Sequence, residues 1–464
     1  MIRKTKEYLK EIRMSLLTSG SFVQNSAWMF ASSGISILIQ FGFFFLLAKI
    51  YSPAVYGIFG IFNVYVSTLG NAATLGYNQA FVLPKEDKEF SSLLHLTLRI
   101  ALFLSAGIFL ITIVAGPQIL QWFSHEEIGD WVYWIGPTMF LLALDRITAD
   151  WAIRNKEFKK QTLWSTTTTL AVKSFNVWYG WAIAATSAGL VYTTLLQHIL
   201  RAFTYGWFVL VDFKKQMTAR VTWPEMVKVA KAYKEFPLFI YWGNLINIFS
   251  NNLPAALITT MGFAVENVGF YAYSLIVLDL PIRMLGSGIA SVFMQKAAEL
   301  ARERMHELAA HTWRLYKSIV LVSLIFSFVI YVFGEKLYLL LLDEKWVTAG
   351  RVAEVLIVFY FFRMISSPLS SLFNILRKEK QFFIFQVMLT ILRIAALLIG
   401  GHYTTDFIQL MFIYSMTNAF AYLIFTVWIF RLIGHSTMRV TAFTLGWSVA
   451  TFVLAYLAKT AIFG

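Results

Sequence analysis

Leu275-Ile-Val-Leu-Asp-Leu-Pro-Ile-Arg-Met-Leu-Gly-Ser-Gly288 lies inside an apolar run from about Glu266 to Phe293. A helix rises about 1.5 Å per residue, so about 20 residues cross a hydrocarbon core roughly 30 Å thick, and this run is long enough to do so. Asp279 and Arg283 stand four apart, on one face, with Pro281 between them to loosen the backbone. A charge at that depth costs at least about 2.5–3.5 kcal/mol, so its default reading is functional. The alternative is an internal ion pair that locks the helix and binds nothing.

The whole chain has the same character. It has 464 residues, is 58% hydrophobic and 14% charged, and has a mean hydropathy of +0.65. A soluble domain carries about 25% charged residues, so this is an all-α polytopic membrane protein in contact with membrane lipids. The net charge of +14 could point to nucleic acid. Basic residues of a membrane chain collect in cytoplasmic loops, however, so no nucleic-acid partner is expected. The absence of cysteine excludes disulfides, thiolate metal sites and cysteine nucleophiles. Arg3, Lys4, Lys6, Lys10 and Arg13 precede an apolar run too long for a signal peptide, which predicts an interfacial amphipathic segment over 1–25 and an uncleaved first span.

Thirteen spans are predicted, near 26–48, 56–82, 92–115, 131–153, 163–185, 188–211, 237–260, 266–293, 316–333, 346–373, 383–401, 405–430 and 440–462. Leu337–Leu342 is too short to cross and reads as an outer half-turn. With the N-terminus inside, the inner segments hold 27 Lys and Arg, and the outer ones only Lys49, Lys336, Lys345 and Lys459. That bias predicts a cytoplasmic N-terminus.

Short motifs recur along the chain. Tyr56-Gly57-Ile58-Phe59 is echoed by Val268-Gly269-Phe270-Tyr271, Gly116 by Gly334, and Lys156-Glu157 by Lys378-Glu379, at offsets of 212, 218 and 222. Two six-span halves follow, N-lobe 26–211 and C-lobe 237–430, joined by a cytoplasmic linker 212–236, with an extra C-terminal span over 431–464. An even span number per half makes the repeats parallel, with a site between them expected.

Eight basic residues remain within spans: Arg99, Arg146, Lys173, Arg201, Arg283, Arg351, Arg363 and Arg393. Arg351, beside Glu354, reads as interfacial. Lys173, Arg201, Arg283, Arg363 and Arg393 each lie about ten residues from the cytoplasmic end of their span, roughly 15 Å deep. Snorkelling to the headgroups accounts for Arg99 and could account for Arg146, but reaches poorly from the midplane. Asp145, Asp150 and Asp279 are too few to pair all the cations. The excess points to a water-filled cationic cavity for an anionic ligand, because the planar guanidinium suits phosphate and carboxylate. Asp279 and, less directly, Asp145 are the candidates for coupling to H⁺ or Na⁺; no other cofactor is expected. Ser67 and Asn71 stand where Asp279 and Arg283 stand in the other half, and His198 reads as a buried histidine bonded to a neighbour. His306-Glu307…His311 has a spacing of five, which separates the rings by about 140° and does not suit zinc. Gly286-Ser-Gly288 reads as helix packing.

Gln24-Asn25-Ser26-Ala27-Trp28 and Ala48-Lys49-Ile50-Tyr51-Ser52-Pro53-Ala54-Val55-Tyr56-Gly57 resemble the opening of bacterial Wzx-type polysaccharide exporters, O-antigen flippases of the MOP (MATE-like) superfamily. Lys49 stands where that family usually has Arg, and Ala54-Val55 replaces an acidic pair. Asn78-Gln79-Ala80-Phe81-Val82-Leu83-Pro84-Lys85 and Gly334-Glu335…Leu340-Leu341-Leu342-Asp343-Glu344-Lys345-Trp346 are similar to its later turns. The resemblance implies two parallel six-helix bundles in a V around a central cavity, in the bacterial inner membrane. It also implies an undecaprenyl-diphosphate-linked oligosaccharide as substrate, with a chain polymerase and other glycan-assembly proteins as partners. Arg146, Lys173, Arg201, Arg283, Arg363 and Arg393 would then attract diphosphate or acidic sugars. A MATE-like multidrug exporter would want an acidic cavity instead. A membrane enzyme polymerising or ligating lipid-linked sugars would want catalytic groups on a large outer loop. The longest outer loop, 116–130, carries only His125, Glu126, Glu127 and Asp130, so no enzymatic activity is expected.

Overall fold

The computed structural model describes residues 22–204 and 216–463. Most of the 1–25 segment, the end of the sixth predicted span and the start of the 212–236 linker lie outside them. Among the described residues there are helices and turns and no strand. The first seven helices are α1 Phe22–Ile50, α2 Pro53–Ala72, α3 Asp87–Trp122, α4 Ile135–Arg154, α5 Phe158–Ala182, α6 Ser187–Ile199 and α7 Trp223–Ala232. There follow α8 Tyr241–Leu257, α9 Val265–Glu303, α10 Met305–Leu341, α11 Val347–Ser366, α12 Glu379–Tyr403, α13 Phe407–Leu432 and α14 Thr437–Phe463. Each of the thirteen predicted spans contains helix, broken by a turn at 73–76 in the second, and eight helices are long and apolar enough to cross a membrane. The chain is a multi-pass membrane protein.

The described chain forms two compact units. Unit 1 holds residues 22–50, 62–122, 128–204 and 216–245; unit 2 holds 51–61, 123–127 and 246–463. In unit 1, α1 packs on α5, α3 on α4 and α5 on α6. The short α7 lies against α3. Glu225 caps it by accepting the Thr222 amide at 2.8 Å, and also pairs with Lys88 at 2.6 Å. Lys88 and the Thr222 amide together pull the Glu225 carboxyl down to about 2. In unit 2, α11 is the central helix, packed by α9, α10 and α13. Its buried residues point in every direction, as expected for a helix apolar all round. The extra helix α14 packs on α10 and α13, with Thr444 Oγ1 2.5 Å from the Tyr316 hydroxyl and Lys459 2.5 Å from Glu354.

The first turns of α2 belong to unit 2 for a steric reason. A Cβ at Gly57 would strike the Val265 carbonyl, and one at Gly269 would strike the Pro53 carbonyl. Pro53 and Val265, like Gly57 and Gly269, are 212 residues apart, so the two segments meet as equals, each glycine under the other's first turn. The tip 123–127 is held to the same unit by His125 Nε2 at 3.0 Å from the Ala256 carbonyl and by the Thr260 hydroxyl donating to the Phe123 carbonyl at 2.7 Å. Similar geometry recurs elsewhere. Gly116 faces Val132, and Gly334 faces Glu354. Lys156 and Arg377 both take a left-handed φ, 57° and 56°. The amides around them return to Trp151, Ile153 and Ala152, and to Leu372, Asn374 and Phe373. Every pair in that cap is 221 apart.

Two local expectations change. Leu337–Leu342 is not a half-turn: α10 runs through Leu341, because Tyr338 is buried and its hydroxyl reaches the Tyr273 carbonyl at 3.5 Å. Arg351 pairs with Glu335 at 3.1 Å, which leaves Glu354 to Lys459 and the Glu335 amide.

Candidate anion-binding site

In unit 1 the fold draws Asp145 (α4), His198 (α6) and Arg201 together. Arg201 falls in a π turn, Leu200–Thr204, that continues α6; such turns displace a side chain from regular helical register. His198 Nδ1 lies 3.0 Å and Arg201 Nη1 3.7 Å from the same oxygen, Asp145 Oδ2. Arg201 Nη2 donates to Thr169 of α5 at 3.1 Å, while its buried Nε has no hydrogen-bond partner among the described residues. A hydrogen-bonding direction is therefore left open on a guanidinium inside an apolar bundle. Arg146, one residue beyond Asp145, faces elsewhere. Its Nη1 donates to Asn71 at 2.7 Å, and a turn further Asp150 accepts from Asn78 at 2.6 Å. Lys173 is half-buried and has no hydrogen bond or ion pair among the described residues.

Unit 2 gathers Asp279 (α9), Arg283 (α9), Tyr360 (α11) and Arg363 (α11). Asp279 Oδ1 accepts from the Tyr360 hydroxyl at 3.1 Å and from Arg363 Nη1 at 3.3 Å. The same Arg363 nitrogen donates to the Tyr360 oxygen at 3.1 Å, with the guanidinium 5.2 Å above its own neighbour's ring. Arg283 Nη2 stands 3.9 Å from Asp279 Oδ2, and its side chain is 54% exposed. Asp279 is thus not locked by Arg283 alone; the tighter contacts cross to α11. One carboxylate serves two guanidiniums. Pro281 lies two residues on and supplies no amide to the Val277 carbonyl, so α9 is loosened beside the cluster.

Arg393 differs from the other cations. It is 2% exposed, and its guanidinium donates to Asn418 at 2.7 Å, Ser250 at 2.8 Å and Asn251 at 3.1 Å. In this conformation it ties α8, α12 and α13 together and has no open face. The sequence reading missed Tyr360, Thr169 and the Arg393 cradle. Tyr360 was detectable, since it lies three residues before Arg363 and hence on its face. The cradle was not, since Ser250, Asn251 and Asn418 converge only in space.

A family described as "Polysaccharide biosynthesis protein" matches residues 46–353, more than half of the chain. Solved structures share the fold. The lipid II flippase MurJ in an inward closed conformation aligns with TM-score 0.69 and 12% identity, over 95% of this chain and 97% of its own. An inward-facing multidrug resistance MATE family transporter of the MOP superfamily aligns with TM-score 0.67 and 13% identity, over 87% and 94%. A MOP superfamily transporter from Pyrococcus furiosus, described as having a binding pocket of reverse polarity, aligns with TM-score 0.57 and 14% identity, over 90% and 95%. No curated protein matches in sequence.

Proposed function

The chain belongs to the polysaccharide biosynthesis protein family, and we propose that it is a flippase for a lipid-linked oligosaccharide. The substrate is a glycan on undecaprenyl diphosphate, carried from the inner to the outer leaflet of the bacterial inner membrane by alternating access. The N-terminus is cytoplasmic, and a chain polymerase takes up the delivered repeat units. The supporting observation is that each unit sets a half-buried carboxylate among apolar helices with guanidinium against it, Arg363 and Arg283 at Asp279 and Arg201 at Asp145. Arg283 and Arg363 in one unit, with Arg201 and Lys173 in the other, attract the diphosphate or acidic sugars. Arg146 and Arg393, held by neutral side chains, keep the helices in register. Asp279 and Asp145 are the groups through which H⁺ or Na⁺ couples, because a carboxylate that changes partner also changes which guanidinium is free. The lipid tail stays in the bilayer, so only the polar part needs the cations.

The test is export of glycan in cells whose own flippase is deleted. Arg283→Ala and Arg363→Ala should each reduce surface glycan, the second more strongly, while protein level in the membrane is unchanged. Surface glycan equal to wild type in both variants would contradict the binding role.

A further inference from the structure

Unit 2 contains a second cationic feature, away from the Asp279 cluster. Ala298, Ala301 and Arg302 at the end of α9, with Asn374, Leu376 and Arg377 between α11 and α12, line a recess of about 440 Å³. No carboxylate lines it, and the nearby Glu299 is engaged by Lys296 at 2.6 Å. Among the described residues, Arg302 and Arg377 have no hydrogen bond or ion pair to their side chains, and both are exposed. The left-handed φ of 56° at Arg377 turns the chain there, and the two alanines keep the opposite wall short.

The internal repeat supplies a control for this feature. The same cap in unit 1, centred on Lys156, follows Arg154, and Arg154 is engaged. It donates to the Phe81 carbonyl at 2.7 Å and the Pro84 carbonyl at 2.8 Å, and lies 4.3 Å over the Phe90 ring. In unit 2 the matching position, 221 residues on, is Ile375. Cations near helix C-termini offset the helix dipole, and in unit 1 one arginine does this while bonded to two backbone carbonyls. Unit 2 has two arginines and an open recess.

We propose that this recess binds the phosphate group of a membrane lipid. Two guanidiniums on separate elements, with no competing carboxylate, suit a phosphate monoester or diester. The recess lies at the ends of membrane-spanning helices, where lipid phosphates are the abundant anions. The inference needs only the membrane reading, so it stands apart from the identity of the transported substrate.

The chain has no cysteine, so Ala301→Cys places a single thiol in the wall of the recess. In full-length protein, its modification by an uncharged maleimide should slow several-fold in nanodiscs of phosphatidylglycerol relative to phosphatidylcholine. Adding pyrophosphate in neutral detergent reports the soluble form of the same chemistry. Protection by either probe supports the site, and the lipid is the ligand if phosphatidylglycerol protects. Combining Ala301→Cys with Arg302→Gln and Arg377→Gln should abolish the protection. Ala298→Cys gives the same readout if Ala301→Cys folds poorly, as judged by gel filtration. Equal rates with every probe, or protection that survives loss of both arginines, would overturn the proposal. Glycan export is not measured, so the outcome does not depend on whether the chain is a flippase.

Discussion

Asp145 in unit 1 and Asp279 in unit 2 each have two cationic or basic neighbours, but of different kinds. Asp279 has two guanidiniums, Arg363 at 3.3 Å and Arg283 at 3.9 Å. Asp145 has one guanidinium, Arg201 at 3.7 Å, and the imidazole of His198 at 3.0 Å. Guanidinium stays charged at any physiological pH. Unit 2 therefore sets two permanent cations about its carboxylate, whereas unit 1 sets one permanent cation and an imidazole about its own. The difference between the clusters is a fixed charge in one and a hydrogen-bonding ring in the other.

The strongest way to break this comparison is to remove the permanent charge. A hydrogen bond to a charged group contributes about 1.5–3 kcal/mol, and about 1.4 kcal/mol is tenfold. Arg363→Ala should thus lower initial transport rates by about ten- to a hundredfold, measured in vesicles. Arg201→Ala, whose ion pair is longer, should cost less. The next test removes the imidazole. His198→Ala takes away the closer of the two contacts to Asp145, 3.0 Å against 3.7 Å, and should lower transport rates by less than Arg363→Ala. A loss as large as that of Arg363→Ala would contradict this ranking. Tyr360→Phe removes one of the donors to Asp279 and should cost about 0.5–1.5 kcal/mol of stability, read as a small fall in Tm. The smallest effect belongs to Lys88→Gln, far from either cluster in kind. The Glu225 carboxyl is held down to about 2, so its contribution is present above the ordinary carboxylate range and is lost only as pH falls toward 2. Between pH 8 and 5.5 this pair is constant, and Lys88→Gln should leave the pH profile of transport unmoved.

The membrane class, the helical stretches and the cations inside them were legible in the sequence, because apolar length and charge inside it are local properties. The repeat was legible through Gly57 and Gly269, where two backbones approach too closely for any Cβ. Partnership was less legible. The i to i+4 spacing drew Asp279 to Arg283, yet Arg363 and Tyr360 from α11 hold it more tightly. Depth alone grouped Arg393 with the others, although three neutral side chains enclose it. Which face of a helix meets which neighbour is set by packing between distant segments, and one chain's spacing does not encode it. Likewise, the crossing at Gly57 and Gly269 places 51–61 with unit 2 rather than with the rest of the first six spans.

The central claim is transport of a lipid-linked glycan through fixed cations. The direct measurement is flipping of undecaprenyl-diphosphate-linked oligosaccharide in proteoliposomes holding only this protein, followed by accessibility of the glycan to an external lectin. Wild-type vesicles should flip it, and vesicles carrying Arg283→Ala with Arg363→Ala should not. Equal flipping by both, or none by wild type while an organic cation is moved instead, would contradict the account.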